Sequence, residues 1–133
     1  MAGKNKKIEM LIADLIKSTG ENKTRWQYTN DDKNISKMLY KVLNHKVPVY
    51  DGYSTTDNCF FTKINNGYIL VIERSSSTPP SRYYLAVAPT IGANVFDVYD
   101  SPQTHIARLH GLILKKSPNV EKYLTDILNT LKD

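Results

Sequence analysis

The stretch Cys59-Phe60-Phe61-Thr62-Lys63-Ile64-Asn65-Asn66-Gly67-Tyr68-Ile69-Leu70-Val71-Ile72-Glu73-Arg74 decides the fold. It holds two runs of aromatic and β-branched residues, 59–64 and 68–74, joined by Asn-Asn-Gly. Asn and Gly accept the positive φ angles of a tight turn, so the pair reads as a β-hairpin. In the second run, Ile69 and Val71 point to one side while Leu70 and Ile72 point to the other. A strand apolar on both sides lies in the middle of a sheet covered at least partly on each side.

Working outward, Arg82–Ala88 is a third run rich in β-formers, and Val95–Tyr99 is a short fourth. Trp26 and Tyr28 alternate with polar residues in Lys23–Thr29, which predicts another short strand. Consecutive runs with short links favour an antiparallel meander.

Helical spacing flanks this centre. Ile8, Leu11, Ile12, Leu15 and Ile16 share one face of a first helix, with Gly20 placed to supply its left-handed end. Glu9 and Asp14 interrupt the apolar run after Lys4–Lys7, so this start reads as an amphipathic helix and not as a signal peptide. Ile35, Met38, Leu39, Val42 and Leu43 predict a second helix over 33–44, capped by Asn30, Asp31 or Asp32. Near the end, Ser101-Pro102 reads as a cap followed by a first-turn proline, opening a helix that buries Ile106, Leu109 and Ile113. After Ser117-Pro118-Asn119, a last helix aligns Val120, Tyr123, Leu124, Ile127, Leu128 and Leu131. The expectation is one α+β domain over 1–133. It has an antiparallel meander of four to five strands, an N-terminal helix, the helix at 33–44 and a C-terminal helix pair, with at least one helical layer on the sheet.

Charge is unevenly spread. Residues 1–50 hold ten of the 18 Lys and Arg but five of the 13 Asp and Glu, which equals the net +5 of the whole chain. Lys33, Lys37 and Lys41 recur every four residues, so each is turned only about 40° from the last and they form a ridge. Lys46 follows just beyond. These four lysines are the candidate anion- or partner-binding residues; a solvated helix face explains the same spacing.

Nothing in the chain marks a reaction. His105 and His110 are five apart and diverge by about 140° on a helix, whereas a helical zinc pair is spaced by four. One cysteine, Cys59, excludes an internal disulfide and a thiolate cluster, fits the cytoplasm, and reads as a small buried hydrophobe. The glycines are scattered, with no phosphate-cradling loop. No metal, cofactor or catalytic residue is expected, and no apolar run is long enough to span a bilayer.

From about Asp57 onward the chain resembles a group of small uncharacterised bacterial proteins. The resemblance rests on Phe60–Ile64, Asn-Asn-Gly-Tyr-Ile-Leu at 65–70, Tyr83–Pro89, and Ser-Pro-Asn-Val-Glu-Lys-Tyr-Leu at 117–124. It implies a cytoplasmic accessory protein of prophage or mobile-element type and carries over no functional residue. Two functions follow as expectations. The first is a non-catalytic module that docks on a protein partner or on itself; the second is a nucleic-acid-binding module using the basic first third.

Overall fold

The computed structural model describes residues 2–45, 52–76, 80–90, 97–116 and 118–132. The hairpin forms as the sequence reads. β3 (Phe60–Ile64) and β4 (Gly67–Ser75) pair antiparallel from Phe60 opposite Val71 to Ile64 opposite Gly67. The two turn residues, Asn65 (φ 51°) and Asn66 (φ 67°), are both left-handed, as a two-residue hairpin loop requires. Gly67 has a different task. A Cβ there would sit 2.9 Å from the Ala88 carbonyl oxygen and 3.2 Å from Pro89 Cα, so a glycine is needed to let the neighbouring strand approach.

β5 (Arg82–Ala88) pairs with β4 along its full length, and β6 (Asp97–Tyr99) pairs with β5. Residues 95 and 96 of the fourth run lie outside the described residues. β1 shrinks from the expected 23–29 to Gln27–Tyr28, where it pairs with Phe61 and Phe60. A further two-residue strand, β2 (Ser54–Thr55), pairs with β4 beyond the end of β3. The sheet order is β1-β3-β4-β5-β6, antiparallel at every pairing.

Helices cover both faces, which is why β4 is apolar on both sides. α2 (Lys33–His45) lays Ile35, Met38, Leu39 and Val42 against Leu70, Ile72, Tyr84 and Ala86. On the opposite face, α1 (Ala2–Gly20) and α3 (Gln103–Lys115) bring Ile12, Leu15, Ile106 and Leu109 against Phe60, Val71 and Leu85.

Local chemistry sets the ends of these elements. Asp32 is the residue that caps α2: its Oδ1 accepts from the backbone N–H groups of Asn34 (2.9 Å) and Ile35 (3.0 Å). α1 runs through Gly20, and the left-handed residue after it is Asn22 (φ 61°), contrary to the expectation for Gly20. Asn tolerates that conformation, and the N–H groups of Asn22 and Lys23 reach back to the carbonyls of Thr19 and Ser18. Pro102 is itself the N-cap of α3 and not its first-turn residue. With no hydroxyl cap there, Gln103 turns to the sheet: its Nε2 donates to the Tyr83 carbonyl and its Oε1 accepts from the Tyr83 N–H (2.9 Å). One side chain thereby makes the two hydrogen bonds a neighbouring strand would make to Tyr83.

α4 (Pro118–Lys132) is the last helix, and among the described residues it packs extensively against none of the other elements. No helix among the described residues is long and apolar enough to cross a membrane.

Candidate functional site

Chemistry-bearing side chains gather where the 56–59 segment meets β4 and α3. Glu73 Oε1 accepts from the Thr56 hydroxyl (2.8 Å), and Glu73 Oε2 accepts from the Tyr83 phenol (3.2 Å). His110, 3% exposed, sits between the rings of Phe60 and Tyr83, with centroids 5.5 and 5.1 Å away. Its Nε2 lies 2.8 Å from the Asn58 carbonyl oxygen. A carbonyl only accepts, so Nε2 carries the hydrogen. Cys59 donates its thiol hydrogen to the Thr56 carbonyl (3.3 Å). Glu73, His110 and Cys59 each tie down the 56–59 segment, and Tyr83 braces Glu73.

Nor do the thiol and imidazole face each other. Cys59 belongs to the core under α2, whereas His110 contacts Phe60 and Tyr83 on the α3 side. Burial is the main reason the Cys59 thiol is raised from 9.0 to about 11; the charges of Glu73 and Asp57 add to the rise, and a backbone hydrogen bond at Glu73 opposes it. A thiol in that state is a poor nucleophile. Burial, and then the Glu73 carboxylate, likewise raise the Tyr83 phenol.

These shifts predict an alkaline weakness. The unfolded chain loses the Cys59 proton from about pH 9, while the folded chain keeps it to about pH 11. Above pH 9 the native state therefore binds more protons than the unfolded one, and stability falls as pH rises. Denaturant melts between pH 8 and 11 should show a loss of up to roughly 3 kcal/mol, most of it absent in Cys59→Ala. The native thiol should react slowly with a disulfide reagent at pH 8 and fast once unfolded.

A cavity of about 350 Å³ opens between the ends of α1 and α3, with Arg25 and Lys116 in its wall. Its polar groups are largely committed to the fold. Thr19 Oγ1 accepts from Trp26 Nε1 (2.9 Å), and Lys116 Nζ donates to the Gly20 carbonyl (3.1 Å) and to Asn22 Oδ1 (3.0 Å). Lys116 thus neutralises the negative end of α1. The cavity is a joint between two helix ends.

Two exposed helix faces remain. Lys33, Lys37 and Lys41 are all exposed on α2, on the side away from its buried Ile35, Met38 and Val42. None of the three has an ion-pair partner among the described residues. Lys46 lies outside the described residues. Tyr40, which the sequence reading passed over, is 70% exposed on the same side. Its position three residues after Lys37 was the available signal.

The second face belongs to α4. Its apolar stripe is largely uncovered among the described side chains: Ile127 is half-buried, and the Val120 side chain lies outside them. Tyr123, Leu124, Leu128 and Leu131 are 65%, 54%, 57% and 77% exposed. Periodicity reports that a helix has an apolar side; it does not say what that side meets. No protein-family model, curated protein or solved structure matches the chain.

Proposed function

We propose that this protein is a non-catalytic interaction module of the bacterial cytoplasm that associates with a second copy of itself through α4. The carrying observation is the run of leucines at 124, 128 and 131, more than half exposed on one side of a helix. Leaving that surface in water costs free energy that a partner would recover.

A second copy is favoured by complementarity. Four of the seven large exposed apolar side chains among the described residues lie on α4; the other three, Met10, Tyr40 and Ile64, sit singly on α1, α2 and β3. The apolar surface that matches this stripe in length is the stripe itself, which suits a twofold pair in which each patch meets its own copy. Two such stripes bury roughly 1,000 Å² between them, at the lower bound for a specific interface, so the pair should be of modest affinity. The free, buried Cys59 supports a reducing compartment. The tethering of His110, Glu73 and Cys59 to the 56–59 segment supports the absence of catalysis.

Light scattering coupled to gel filtration, over about 1 to 300 μM protein, tests this reading. The expected result is a concentration-dependent dimer that Leu124→Glu with Leu128→Glu converts to a monomer of unchanged melting in dilute solution. A monomer throughout the range overturns it.

A further inference from the structure

We propose that α2 is a docking surface for single-stranded nucleic acid, with Lys33, Lys37 and Lys41 holding phosphates and Tyr40 stacking on a base. The inference rests on α2 alone and does not depend on the pairing of α4.

The surface is positive along its whole length. α2 carries no carboxylate in its 13 residues, KNISKMLYKVLNH. Of the two carboxylates that precede it, Asp32 is engaged through Oδ1 by the backbone N–H groups of the first turn, and Asp31 is exposed in the turn before. Ile35, Met38, Leu39 and Val42 anchor the opposite side of the helix in the core, so the lysine side is held outward by packing. A rise of 1.5 Å per residue places successive lysines about 6 Å apart along the axis. A stacked strand advances about 3.4 Å per nucleotide and an unstacked one further, so each lysine interval spans one to two nucleotides.

Tyr40 turns a general preference for anions into one for bases. Its ring is 70% exposed beside Lys37 and Lys41, where burial in the core does not explain it. An aromatic ring next to phosphate-binding cations is the arrangement by which single strands are gripped without sequence preference, because every base has a face to stack. In a duplex the bases are already stacked on one another and that contact is lost. Asn44, exposed one turn beyond Tyr40, adds an amide able to donate to a phosphate or a base edge.

Fluorescence anisotropy of a labelled 12-mer oligothymidylate, with oligouridylate, a 12-bp duplex and polyglutamate as further arms, tests the proposal. The full chain should bind both single strands more tightly than the duplex. Three phosphate contacts give a log–log salt slope near −2, so affinity should fall roughly 20-fold between 50 and 200 mM salt. Tyr40→Ala should weaken binding roughly tenfold and leave the salt slope unchanged. Lys33→Gln, Lys37→Gln and Lys41→Gln together should flatten the slope. These side chains are exposed, so melting temperature should be the same in all variants. Three outcomes overturn the proposal: no binding at 50 mM salt, duplex bound as well as single strand, or polyglutamate competing equally while Tyr40→Ala has no effect.

Discussion

Leu70→Ala should lower the free energy of unfolding by about 3 kcal/mol, within the 2–5 kcal/mol usual for such truncations, whereas Leu128→Ala in the dilute monomer should change it by no more than about 0.5 kcal/mol. The two substitutions delete the same atoms. Leu70 is fully buried at the centre of β4, between Phe61 on one side and Ala86 on the other, under α2. β4 is held on both flanks, so the strands cannot close over the missing methyl groups and a cavity remains. Leu128, 57% exposed, forfeits little because water already touches it. A loss of this size is a large part of the 5–15 kcal/mol that holds an ordinary domain together. Trp26, the one tryptophan of the chain, is 4% exposed and reports the transition by its fluorescence. Equal effects of the two alanines would mean that β4 is not the buried centre described above.

Trp26→Ala should be at least as damaging, at about 3–5 kcal/mol. The indole fills the space between the end of α1 and the sheet, with Ile8, Leu15 and Ile113 in the same core. Its Nε1 also donates to Thr19 Oγ1, itself 2% exposed. Alanine removes the ring and leaves the Thr19 hydroxyl without that donor. Trp26→Phe separates the two contributions: it restores most of the apolar volume and still lacks the N–H. It should fall between the wild type and alanine, about 1–2 kcal/mol below the former. Urea melts followed by circular dichroism measure all three. A Trp26→Phe protein as unstable as Trp26→Ala would show that the hydrogen bond, and not packing, holds the end of α1.

The hairpin was legible in the sequence because its signals are local. Asn65-Asn66 specifies the turn, and the two-sided apolar pattern of Tyr68–Arg74 calls for cover on each face, though not for a helix layer on both. α2 was legible for the same reason, down to Asp32 among its named caps. What lay beyond reach depends on distant partners. Asn22 replaces Gly20 as the left-handed residue because α1 runs two residues further than an end at Gly20 would allow. The β1 pairing stops at two residues, and nothing in Lys23–Thr29 records where β3 begins. Gln103 lies twenty residues from the backbone it completes. For the candidate faces, the lysine ridge was readable from spacing alone. Tyr40 was hidden among residues counted for their charge, and the α4 stripe looked like one more core helix because coverage is a property of the fold and not of the period.

The edges of the sheet decide what form self-assembly can take. One rim is the two-residue β1, the other the three-residue β6, and the next backbone groups of β5 are occupied by the amide of Gln103. Among the described residues an incoming peptide finds no long ladder on which to register. Growth by stacking strand upon strand into fibres is thereby discouraged, and in the proposed pairing through α4 each stripe would meet its own copy and close a finite pair.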